Sequence, residues 1–131
     1  MIKENELRLN NLVMVNYKTD LLSKVTWIQE GSINVTFDRQ PDLVNGIVCS
    51  ANDLIPIPLT EEWLIKFGFK KTWFGYDIIS TCIEIEPLEN EDYTICINSN
   101  EYHVGESFKY VHQLQNIHFA LTNKELELIK E

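Results

Sequence analysis

The feature that most constrains this chain is the density of short β-type runs in its first 59 residues. Leu12-Val13-Met14-Val15-Asn16-Tyr17 is rich in β-formers, and Leu22 to Gln29 alternates, with Val25 and Trp27 on one side and Lys24 and Thr26 on the other. Glu30-Gly31 is a turn signal, and Ile33-Asn34-Val35-Thr36-Phe37 alternates again, so the two runs are expected to form a hairpin. Asp38 to Gly46, with Pro41, reads as a loop, after which Ile47-Val48-Cys49 resumes the sheet. Asp53 to Pro58 contains Pro56 and Pro58, which have no N–H to give a ladder; it is an edge strand or the exit from the sheet. So many short strands in about sixty residues cannot lie flat and bury both faces, which predicts a small curled sheet or a partly open barrel.

In shape this lobe is similar to a Src-homology-3-type barrel, an architecture that hosts many unrelated functions. Thr60 then starts a short helix, with Glu61 and Glu62 in the first turn, where the helix dipole favours anions, and Gly68 as the stop. Trp63, Leu64 and Phe67 share one face of it. Strands return over Phe69 to Tyr76, bent at Gly75, over Ile79 to Ile85, and over Tyr93 to Ile97; Asn98-Ser99-Asn100 turns, and Tyr102-His103-Val104 extends the sheet. A second antiparallel sheet of three or four strands follows. Val111, Leu114, Ile117, His118 and Leu121 line one helical face, and Thr122-Asn123-Lys124-Glu125 fits a capping box for another helix over Leu126 to Ile129. Strands, helix, strands and helices make an α+β chain. It is expected to be a single domain with a β-rich lobe over 1–59 and a mixed part over 60–131, the stretch Pro56 to Leu59 being the one plausible boundary.

With 131 residues and 44% hydrophobic composition the chain can bury a core without disulfides or metals. Its first six residues carry charges where a secretory signal needs an apolar run, and no stretch approaches 18 apolar residues, so a cytoplasmic protein that does not enter the membrane is expected. Cys49, Cys82 and Cys96 are far apart and odd in number, which predicts buried free thiols in place of a disulfide framework or zinc cluster. A net charge of −9 disfavours duplex binding, because that binding draws on counterion release by a basic surface. Between Lys71 and Lys109 there is no Lys or Arg, while Asp77, Glu84, Glu86, Glu89, Glu91, Asp92, Glu101 and Glu106 all fall there. This acidic stretch is either a solvated face or a surface that imitates nucleic acid.

No carboxylate pair is flagged for acid and base work, and no nucleophile elbow or phosphate loop can be written. His103, His112 and His118 are poorly spaced for a metal. The expectation is a protein that is not an enzyme and uses no cofactor. One constellation does carry chemistry: Lys66, Lys70 and Lys71 interleave with Phe67, Phe69, Trp73, Phe74 and Tyr76. Cations among flat aromatic faces suit a phosphorylated or nucleobase-containing small molecule, although the same run also reads as core aromatics beside solvated lysines. A weaker patch is Lys109 to Asn116, with Tyr110, His112 and side-chain amides on a helix face. The candidate ligand-binding residues are Lys70, Lys71, Trp73, Tyr76, Lys109, Tyr110 and His112.

The segment Lys109-Tyr110-Val111-His112-Gln113-Leu114-Gln115-Asn116-Ile117-His118-Phe119-Ala120-Leu121-Thr122 resembles a group of small proteins carried by phages and prophages of Bacteroidota. Glu6 to Val13 and Pro56 to Phe69 look similar too, so the resemblance spans most of the chain. Members often have Gly where this chain has Asn123, and Asn tolerates the same left-handed turn. The resemblance brings no assigned ligand or site residues; it implies a small accessory protein that neutralises a host factor or captures a signalling molecule. The leading expectation is therefore a counter-defence binding protein that takes a nucleotide-like ligand or a host protein. The alternative is an acidic mimic of nucleic acid that occupies a host DNA-binding enzyme. Edge strands such as Asp53 to Pro58 make a homo-oligomer plausible.

Overall fold

A computed structural model of the chain describes residues 2–16, 18–37, 46–73, 75–78, 83–97 and 102–129. The fold is α+β, with ten strands and two α-helices among these residues. Its contacts group into two units, Met1–Ile57 with Tyr110–Asn116 and Pro58–Lys109 with Ile117–Glu131. Tyr17, residues 38–45 where a loop was expected, Phe74, residues 79–82 with Cys82, and residues 98–101 where a turn was expected lie outside the described residues.

The first unit holds a curled antiparallel half-barrel of β1 (Leu12–Val15), β2 (Lys18–Gln29), β3 (Ser32–Phe37), β4 (Ile47–Cys49) and β5 (Leu54–Ile55), in the order β4-β3-β2-β1-β5. Gln29 pairs with Ser32, so Glu30-Gly31 is a two-residue hairpin loop, and Gly31 takes a φ of 77° at its second position, a left-handed conformation that glycine adopts without strain. β3 buries every second residue; Ile33, Val35 and Phe37 join Val13, Val15 and Val25 in the core. The strict alternation expected for β2 fails at one place. Its pairing with β3 shifts between Val25 and Trp27, and this bulge turns Trp27 outward, 46% exposed, although Val25 stays inside. A single 3-10 turn, Ala51–Asp53, leads into β5; Ser50 N–H donates to Asp53 Oδ2 at 3.1 Å.

In the second unit α1 (Glu61–Lys66) begins at Thr60, whose hydroxyl accepts from Trp63 N–H at 3.4 Å, and Leu64 and Phe67 are its buried contacts. An antiparallel sheet follows, β6 (Lys70–Lys71), β7 (Tyr76–Ile78), β8 (Ile83–Pro87), β9 (Tyr93–Ile97) and β10 (Tyr102–Phe108), in the order β10-β9-β8-β7-β6. Five strands exceed the three or four expected because Phe69 to Tyr76 is not one bent strand. Thr72 N–H donates to the Gly75 carbonyl at 2.7 Å and Gly75 N–H to Thr72 Oγ1 at 3.1 Å, closing a hairpin between β6 and β7. Gly75 is required there, since a Cβ would collide with the Ile85 carbonyl.

Helix α2 (Val111–Thr122) forms as the periodicity predicts, with Val111, Leu114 and His118 buried and Leu121 exposed. The further helix expected over Leu126 to Ile129 does not form. Thr122 is the last residue of α2 rather than a new N-cap: its hydroxyl donates to the His118 carbonyl at 2.8 Å and accepts from Lys124 N–H at 3.1 Å. Asn123 takes φ 59°, and the chain leaves without helical structure to Ile129, whose N–H donates to the Lys66 carbonyl at 2.8 Å.

Candidate functional site

The β6–β7 hairpin of the second unit gathers four of the seven candidate residues: Lys70, Lys71, Trp73 and Tyr76. They do two different jobs. Tyr76 is buried and its hydroxyl donates to Glu61 Oε1 at 3.1 Å, while Lys71 Nζ lies 3.4 Å from the same oxygen. Glu61, from the first turn of α1, thus fastens the hairpin to the helix. Burial, and then the bond to Glu61, push the Tyr76 hydroxyl up to about 12; the hydrogen bonds from Tyr76 and Lys71 hold the Glu61 carboxyl below its ordinary value. Tyr93, on β9, is also raised, by burial and then by Glu61 and Glu91.

Lys70 and Trp73 are left facing solvent. Trp73 is 87% exposed, and Lys70 is exposed on the edge strand with Asp77 directly across from it on β7. Lys66 is already engaged, 3.2 Å from Glu62 and 5.1 Å above the Trp63 ring. Lys109 stands apart in sequence and lies 4.0 Å from Asp92. The hairpin therefore presents an exposed cation and an exposed indole on a base anchored by Tyr76 and Lys71. Glu61 is the residue that motif reading missed as part of this site: it was legible as a helix-start acid, but nothing local ties position 61 to position 76.

Tyr110 and His112 belong to the first unit, where their surroundings are structural. Gln115 Oε1 accepts from Leu12 N–H at 2.8 Å and its Nε2 donates to the Asn10 carbonyl at 3.1 Å. Asn116 accepts from Asn11 Nδ2 at 2.8 Å and donates to the Glu6 carbonyl at 2.7 Å. The amides of this helix face thus tie down residues 6–12. His112 is 1% exposed, stacked near the Tyr110 ring at 6.0 Å and 13°, and neither of its ring nitrogens has a hydrogen-bond partner among the described residues. Burial holds its imidazole below the ordinary value, with Glu6 pulling the other way.

Cys49 and Cys96 are buried thiols; burial raises both, Cys96 to about 11, with its Sγ 3.6 Å from Glu86. Among the described residues no group of three or more His, Cys, Asp or Glu is placed to hold a metal ion, and no helix is long and apolar enough to cross a membrane. None of the protein-family models, curated proteins or solved structures compared with this chain matches it.

Proposed function

We propose that this chain is a non-enzymatic binding protein of phage or mobile-element origin, a counter-defence factor in the host cytoplasm that captures a nucleotide-like ligand on the β6–β7 hairpin. The observation that carries this reading is the exposure of Trp73, 87%, next to Lys70 on a hairpin whose base is fixed by Glu61. An exposed indole costs the folded chain apolar hydration that a core position would avoid. A ligand with a flat ring and an anionic group recovers it, by stacking on Trp73 and pairing with Lys70. Lys71 and Tyr76 position the hairpin, and Lys109, Tyr110 and His112 take no part in this capture. Calorimetric titration of the purified protein with a panel of mono- and dinucleotides tests it. Lys70→Ala with Trp73→Ala should abolish the heat of binding seen for the wild-type chain. Absence of binding to every nucleotide, or binding that the double variant leaves intact, removes the reading.

The acidic-mimic reading keeps one specific support: Asp77 and Glu84 sit directly opposite each other on β7 and β8, a like-charge pair that a sheet selected for stability alone would avoid. Glu86, Glu89 and Glu91 continue the charge along β8 and the turn after it. Capture of a DNA-binding enzyme from host lysate, released by raised salt, would favour this second reading over the first.

A further inference from the structure

A sheet edge offers unpaired backbone N–H and C=O groups to any other strand, and folded proteins blunt such edges with proline, charge, bulges or shortness. Among the described residues the two sheets end in four edge strands. β5 is two residues long and runs into Pro56 and Pro58. β6 is Lys70–Lys71, and β10 carries exposed Glu106 and a register shift between Val104 and Phe108. Among the described residues β4, three residues long, is the one edge with none of proline, charge or bulge: it is Ile47-Val48-Cys49 between Gly46 and Ser50, paired with β3 without a shift. Asp53 to Pro58, the edge favoured by the sequence, is thus the better protected of the two edges of the first sheet.

Val48, at the middle of β4, is 67% exposed. It lies across from Asn34 on β3, which lies across from Trp27 on β2, so the three share the outer face of the sheet and the row ends at the open edge. The next row on this face is Lys24 and Thr36. No carboxylate occurs among Lys24, Thr26, Trp27, Asn34, Thr36 and Val48, in a chain of net charge −9. Two copies of so acidic a molecule repel wherever their carboxylates meet, and an uncharged edge is where they approach at least electrostatic cost.

We propose that β4 is the contact of a homodimer: it pairs antiparallel with β4 of a second copy about a two-fold axis at Val48, so that one sheet runs through both half-barrels. The contact is isologous, so it closes at two copies, and Val48 faces the same residue of the second copy. The inference is independent of ligand capture, which uses the other sheet.

Light scattering on the eluting full-length chain should give about twice its 15.3 kDa mass. Val48→Lys, which sets two like charges against each other at the axis, should return the mass of one chain while circular dichroism and the unfolding transition stay cooperative. Val48→Cys, which needs no loss of the dimer, should cross-link to a reducible dimer under mild oxidation beyond the background set by the wild-type chain. A single-chain mass for the wild-type protein up to millimolar concentration overturns the proposal. So does a dimer that survives Val48→Lys, or a Val48→Cys chain that cross-links no more than wild type; either places the contact on another surface.

Discussion

The two units are built from the same kind of part, a five-stranded antiparallel sheet whose strands pair largely in chain order, yet they spend their polar side chains in opposite ways. In the first unit polar groups point inward to hold the backbone. Gln115 and Asn116 bind residues 6–12, and buried Ser23 donates to the Val13 carbonyl at 2.7 Å. In the second unit charged groups lie on the outer side of the sheet: Lys70 and Lys71 are exposed on β6, and half-buried Glu84 and Glu86 alternate with buried Ile83 and Ile85 on β8. A polar group satisfied inside a unit contributes stability and is unavailable to a ligand, whereas one left at the surface contributes little to stability and is available. Under the proposed function, this contrast corresponds to architecture in the first unit and recognition in the second.

Gln115→Leu attacks the comparison hardest. It strips the buried Leu12 N–H of its acceptor and the Asn10 carbonyl of a donor, so unfolding free energy from urea titration should fall by about 2 kcal/mol. Lys70→Ala with Trp73→Ala, in contrast, should stay within about 0.5 kcal/mol of wild type, because both side chains are exposed. Equal losses in the two experiments would break the division of labour.

His112 sharpens it, since this is an inward polar group with no hydrogen-bond partner among the described residues. Replacing it with Leu removes two unsatisfied nitrogens from a buried site, and stability should rise by about 1 kcal/mol. The pH dependence has a definite sign. Because the folded imidazole is held below its ordinary value, the unfolded chain binds the proton first as pH falls. The stability from the neutral ring is complete above about 6.5 and is lost as pH drops through the folded value. His118, also lowered by burial, acts in the same direction. His112→Leu should flatten the fall in stability between neutral and mildly acidic pH; an unchanged slope would mean that the ring is not buried as described.

What could be read from the sequence was the part determined over short distances. Glu30-Gly31 marks its own turn, Thr60 its own helix, and alternation in 33–37 its own strand, because each depends on residues within a few positions. The bulge at Val25–Trp27 depends on how β2 meets β3, so Trp27 reads as core until the pairing is known. The ties from Gln115 to Leu12 and Asn10 span more than a hundred positions, and in sequence those amides look like surface groups. The same limit hid Glu61 from the site: Lys70, Lys71, Trp73 and Tyr76 form a local cluster, but their anchor lies on another element.

Glu91 tests whether the exposed acids of the second unit bear a backbone cost. It follows Asn90 in the turn between β8 and β9, and both have positive φ, 66° and 65°. Asn accepts that conformation readily and Glu does not, because its Cβ crowds the backbone. Glu91→Gly should raise stability by about 0.5 kcal/mol after the entropy gained by the unfolded chain is subtracted. A loss instead would show that the Glu91 side chain makes a stabilising contact in the second unit.

The smallest effect is expected at Asn123, which ends α2 at φ 59°. Asn is among the few non-glycine residues that tolerate this geometry, and its N–H already donates to the Phe119 carbonyl at 2.7 Å. Asn123→Gly keeps that backbone bond and relieves a Cβ, while adding freedom to the unfolded chain, so the two contributions offset and stability should change by less than about 0.5 kcal/mol. A larger gain in thermal unfolding would mean that the left-handed turn is strained and that the run from Asn123 to Ile129, fastened at Lys66, pulls on the end of α2. A larger loss would mean that the Asn123 side chain, exposed as it is, contributes to holding that run in place.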